Sequence, residues 1–145
     1  MNPVLKGVLT EIQIQHAFLK NGFNVAIPLN PSSRYDMIVD YNNHLFKVQC
    51  KTSKPQDGGF TIHLYSTNRE PGGGYIKKQY SSADVDLFAT TYNDEVYIIP
   101  NTKEISSQRT IMFRTEHPKN DQVVGIRYAE QFKLDNIMTK MLPYD

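Results

Sequence analysis

The sequence predicts an α/β (α+β) fold in which a mixed central β-sheet is flanked by helices. Three observations predict it. The chain opens on an apolar-periodic helix, runs through short strand-like segments separated by turn residues, and closes on an amphipathic segment. Its 145 residues are the length of one ordinary domain, so a single domain over residues 1–145 is expected.

The opening helix is expected from Val4 to Lys20, where Leu5, Val8, Leu9, Ile12 and Leu19 recur along one stripe. Asn21-Gly22 ends it, because glycine accepts the left-handed cap. FNVAIP reads as a short strand stopped by Pro28, and LNPSSR as a turn-rich loop. YDMIVD and HLFKVQCKT read as two strands of a hairpin, since the intervening Asn42-Asn43 tolerates positive φ. In the second strand Phe46, Val48 and Cys50 alternate with Leu45, Lys47, Gln49 and Lys51. FTIHLYST is a further strand after Gly58-Gly59, and NREPGGGY a polar loop. DLFATTY and EVYIIP are strands around the turn Asn93-Asp94, and a short helix is expected near Asn101. TIMFR and VVGIRY are later strand candidates, and AEQFKLDNIMTKML is the closing amphipathic helix.

Composition narrows the partners. Hydrophobic residues at 39% and charged residues at 21% argue against disorder. No apolar run approaches the ~20 residues that span a bilayer, so no membrane partner is expected. MNPVLKGVLTE reaches charge too soon for a signal peptide, and the lone Cys50 allows no internal disulfide. A cytoplasmic, intracellular setting is expected. The four histidines have no paired ligand spacing, which disfavours zinc. A net charge of +1 admits nucleic-acid binding only if the basic residues gather on one face.

The chemistry-bearing feature is polar residues set into apolar strands. Asp36 opens YDMIVD, and Gln49 and Lys51 share a face of HLFKVQCKT. A hairpin would bring the three together, and buried polar groups need partners. Taken singly, Asp36 reads as a turn residue, Gln49 as an edge-strand residue, Lys51 as a solvated lysine and Glu11 as a helix-surface residue. Together they offer a carboxylate, an amide oxygen and a cation. Phosphodiester cleavage needs a hard divalent ion held by one or two carboxylates, and a cation that orients the attacking water.

An acid on the first hairpin strand followed by acid-x-Lys on the second resembles the PD-(D/E)xK nuclease superfamily. Here the motif reads RYD over Arg34 to Asp36 and QCK over Gln49 to Lys51, with the helix motif KGVLTE ending on Glu11. GFNVAIPLNPSSRYDMIVDYNNHLFKVQCKT and SSADVDLFATTYNDEVYIIP are similar to cyanobacterial-type group I intron-encoded homing endonucleases. Tyr35 stands where the family has proline, and Gln49 where it has its second acid. The resemblance implies a restriction-endonuclease-like core. It implies Glu11, Asp36, Gln49 and Lys51 as catalytic residues, with Asp36, Gln49 and Glu11 on the metal. The implied ion is Mg²⁺, with Mn²⁺ as a substitute.

The expected activity is Mg²⁺-dependent, site-specific cleavage of double-stranded DNA by a homo-oligomer, dimer or tetramer. The alternatives are a Holliday junction resolvase and a non-cleaving DNA-binding module with a decayed nuclease site. Lys54, Arg69, Tyr75, Lys77, Lys78 and Gln79 are expected to meet DNA, the last four from a hairpin that could enter a groove.

Overall fold

The computed structural model describes residues 1–122 and 124–141, and the side chains of all of these except Asn68, Arg69 and Met141. Helix α1, Pro3–Lys20, starts where Asn2 accepts from the Val4 amide and Pro3 supplies a fixed φ. Three strands follow: β1 Asn24–Ala26, β2 Met37–Tyr41 and β3 His44–Cys50. The turn between β2 and β3 has Asn42 at φ 51° and Asn43 at φ 66°, the conformation asparagine tolerates.

Strands β4 Lys54–Gln56 and β5 Gly59–His63 form a tight pair. The expected strand FTIHLYST is in fact two. It breaks at Leu64, whose amide turns to the carbonyl of Arg109, and resumes as β6 Tyr65–Arg69. NREPGGGY correspondingly contributes residues to β6 and to β7, Tyr75–Gln79, and only residues 70–74 form the loop. Then come β8 Leu87–Tyr92, β9 Glu95–Pro100, the short helix α2 Lys103–Ser106 and β10 Thr110–Arg114. VVGIRY makes a single bridge, Tyr128 to Arg114, and no strand among its described residues; Val123 lies outside them. The expected last helix is a 3-10 turn, Ala129–Phe132, followed by α3, Leu134–Met141.

The main sheet has the order β1-β2-β3-β8-β9. It is antiparallel except between β3 and β8, which run parallel with Gln49 beside Phe88. The two smaller sheets are β10-β5-β4 and the hairpin β6-β7. The main sheet is covered on both faces, which is why β8 and β9 read as continuous apolar runs. On one side Leu87, Ala89, Val96 and Ile98 meet Ile14 and Phe18 of α1 and Leu134 and Ile137 of α3. On the other, Phe88 and Ile99 meet Phe60, Ile62, Ile111 and Phe113 of the second sheet. Each such side chain contributes about 1.5–3 kcal/mol by leaving water.

Helix α1 carries apolar residues on two sides, and periodicity alone does not say which is buried. Ile14 and Phe18 are fully buried, while the stripe Leu5, Val8, Leu9, Ile12 and Leu19 is 44–57% exposed. None of the described helices is long and apolar enough to cross a membrane.

Candidate active site

Asp36 sits immediately before β2. Its amide donates to the carbonyl of Val48 at 2.8 Å, and its Oδ2 accepts from the amide of Cys50 at 2.8 Å. These two bonds clasp it to the end of β3. Met37 pairs with Val48, so one further step along the antiparallel ladder sets Asp36 against Gln49. Lys51 leaves β3 with its amide bonded to the carbonyl of Ala89 at 2.8 Å. Its Nζ donates to the carbonyl of Tyr65 at 2.9 Å and reaches the Tyr80 hydroxyl at 3.4 Å. Glu11 lies on α1 between the buried Thr10 and Ile14, half-buried itself and within electrostatic reach of Asp36.

The electrostatics are those of partly buried, mutually interacting charges. Burial raises the pKa of Asp36, although the Cys50 amide and the Lys51 charge oppose the shift. Burial, and then the Asp36 charge, raise that of Glu11. Burial lowers Lys51 to about 8 even though Asp36 favours its charged form, and Arg34 adds to the fall. Attraction between Asp36 and Lys51 would move both groups towards charge. Both move towards neutrality, so desolvation outweighs the pair's attraction.

Two half-buried carboxylates that repel each other suit a divalent cation. Among the described residues the Gln49 side chain makes one long bond, Nε2 to the Cys50 carbonyl at 3.4 Å, and its amide oxygen has no partner. No three His, Cys, Asp or Glu converge among the described residues. Two carboxylates and an amide oxygen, with water and substrate completing the shell, fit a hard ion such as Mg²⁺.

Arg34 and Tyr80 extend the site beyond the expected four residues. The Arg34 guanidinium lies 4.0 Å from the centre of the Tyr80 ring, and Lys51 Nζ 4.6 Å from it. Arg34 also donates to Ser66 Oγ at 2.7 Å and to the Gln79 carbonyl at 2.9 Å, and lies 3.6 Å from Asp84. It therefore ties both roots of the β6-β7 hairpin to the segment that carries Asp36 into β2. The i, i+2 spacing of Arg34 and Asp36 was the available signal. Nothing local marks Tyr65 or Tyr80.

Lys54 is exposed on β4, and Tyr75, Lys77, Lys78 and Gln79 are exposed along β7. The Gln79 amide is already engaged, donating to the carbonyls of Gln108 at 2.9 Å and Ser106 at 3.4 Å. The Arg69 side chain lies outside the described residues.

A profile of the family described as PD-(D/E)XK endonuclease matches residues 1–135. Protein 5.3 of Escherichia phage T7 is 26% identical over 96 residues, 65% of this chain and 76% of that protein. The bacterial homing endonuclease I-Ssp6803I superposes with a TM-score of 0.73 at 20% identity, over 96% of this chain and 93% of that one. At that identity the likeness speaks for the fold.

Proposed function

The chain belongs to the PD-(D/E)XK endonuclease family, and on that premise we propose that it is a Mg²⁺-dependent, site-specific endonuclease of homing type, cutting double-stranded DNA as a single domain over residues 1–145. Membership makes it a nuclease, a hydrolase of a family that generally uses divalent metal ions. The observation that carries the finer reading is the clasp of Asp36 onto Cys50, which sets a carboxylate at the same sheet end as the buried Lys51.

Asp36, Glu11 and Gln49 would hold the ion, which when bound neutralises charge developing on the phosphate. Asp36 keeps one oxygen on the Cys50 amide, fixing the carboxylate's direction. Gln49 supplies a neutral oxygen where the family has an acid. Lys51, with a pKa of about 8, exchanges protons near neutrality and hydrogen-bonds the attacking water. The test is a cleavage selection on a randomised DNA duplex library with Mg²⁺. Recovery of one long preferred site supports the reading, and enrichment of branched substrates would replace it with a resolvase.

One such centre cuts one strand, so a double-strand break calls for at least two copies. The outward face of α1 supports this: Val4, Leu5, Val8, Leu9, Ile12 and Leu19 are 44–76% exposed, with no charged residue among them. A largely apolar exposed face of that kind, interrupted only by Gln15 and His16 among the described residues, is what a second copy of the chain would cover. Sedimentation of the wild type and of Leu5→Glu/Leu9→Glu checks it, with a dimer or tetramer expected only for the former.

A further inference from the structure

Next to the active site, two lysines and a histidine from two different sheets form one basic group beside Tyr65. Lys54 on β4 pairs with Thr61 on β5, and antiparallel partners share a face. His63, two residues beyond Thr61, lies on that face as well, opposite the buried Phe60 and Ile62. The His63 ring packs on that of Tyr65, with centroids 5.1 Å apart, and Lys77 Nζ lies 5.0 Å from the same Tyr65 ring. The Tyr65 carbonyl holds Lys51. The basic group is thus continuous with the catalytic lysine.

The charges acting on His63 are all positive. Burial, and then Lys54, Lys51 and Lys77, depress its pKa. No carboxylate of the described residues figures among those influences. Like charges held this close are unfavourable until an anion joins them. His63 Nδ1 is paired with the Thr110 hydroxyl at 2.9 Å, which leaves Nε2 as the ring's free hydrogen-bonding group. Lys54, His63 and Lys77 are all exposed.

We propose that Lys77 over the Tyr65 ring, His63 packed against that ring and Lys54 on the same face as His63 form a phosphate track that binds successive phosphates of one DNA strand and leads it to Lys51 and Asp36. The track rests on the nuclease reading and adds to it the route of the substrate backbone. Because β5 and the β6-β7 hairpin each contribute, the strand would cross from one small sheet to the other over Tyr65. Phosphate contacts position the strand and carry no sequence information.

The test measures binding without cleavage. Affinity for a random-sequence DNA duplex is followed against salt in metal-free buffer, using the full chain. The variants are Lys54→Gln, His63→Gln, Lys77→Gln, the triple, and Lys20→Gln at the far end of α1 as a control. At neutral pH the slope of log affinity on log salt should fall by about 0.9 for each lysine removed and by roughly 2 in the triple variant, while His63→Gln, which removes a hydrogen-bonding group rather than a charge, should weaken binding and keep the slope. Lys20→Gln should keep the wild-type slope. A wild type that binds in a salt-dependent way, with an unchanged slope in the triple variant, overturns the track and leaves the nuclease reading standing. A wild type showing no salt-dependent binding overturns both. Melting of each variant is recorded alongside, and exposed polar exchanges of this kind should not lower it.

Discussion

Lys51 Nζ donates to the main-chain carbonyl of Tyr65 at 2.9 Å, tying the cation beside Asp36 to the first residue of the β6-β7 hairpin. The hairpin's other root is bonded to Arg34, two residues before Asp36. The segments carrying Asp36 and Lys51 and the exposed hairpin therefore share two cationic anchors, with Tyr80 between them.

Replacing Lys51 with alanine should slow cutting by about 10²–10⁴-fold, the range for a positioned proton-transfer or charge-stabilising group. DNA binding should weaken far less. Single-turnover cleavage and direct binding, measured separately, check this; wild-type cutting by Lys51→Ala would sink the role.

Lys51 also gives a stability signature. Its folded-state pKa, about 8, lies below the ordinary 10.5, so the folded state resists the proton that the unfolded chain accepts. In metal-free protein this penalty is full below about 8 and disappears as pH rises towards 10.5. The wild type should therefore gain stability relative to Lys51→Met across that window. Denaturant unfolding of both proteins at several pH values checks it, and parallel curves would contradict it.

For Glu11 and Asp36 the sign is reversed. Both pKa values are raised, so ionisation costs the folded state stability as pH rises through the ordinary carboxylate range, and protonation restores it. A divalent cation should relieve that cost. Added Mg²⁺ should raise the melting temperature more near neutrality than in acid, and Asp36→Asn should remove most of the increment. Equal stabilisation of wild type and Asp36→Asn would place the ion elsewhere.

Gln49→Glu restores the second acid of the family motif at the position set against Asp36. It should lower the Mg²⁺ concentration needed for half-maximal cutting, while Gln49→Ala should raise it. A metal titration of the cleavage rate checks both; identical midpoints in all three proteins would deny Gln49 a part in holding the ion.

Gly59 opens β5 where the second sheet closes on β10. A Cβ there would lie 1.9 Å from the carbonyl oxygen of Phe113, a backbone atom that cannot swing aside. Gly59→Ala should cost about 1–3 kcal/mol of stability, the usual range for overpacking. A shift in the urea midpoint measures it.

Much of this molecule was legible in the chain itself. Asn42-Asn43 and Asn93-Asp94 lie at positive φ, as those residue types allow, and the strands they join follow from local chemistry. The alternation of Phe46, Val48 and Cys50 with Lys47, Gln49 and Lys51 set the faces of β3, because a strand's period of two leaves no choice once one face is apolar. The site's core was legible for the same reason: a hairpin must bring Asp36 to Gln49. Tertiary structure decided what depends on packing against distant elements. It buried Ile14 and Phe18 and left Leu5, Val8 and Ile12 outside, since a helix apolar on two sides has no local reason to prefer either. It broke FTIHLYST at Leu64 by offering one half to β10 and the other to β7. It brought Arg34, Tyr65 and Tyr80 to Lys51 across intervals that no periodicity spans, and burial at that position, with the Arg34 charge, moves the lysine to about 8.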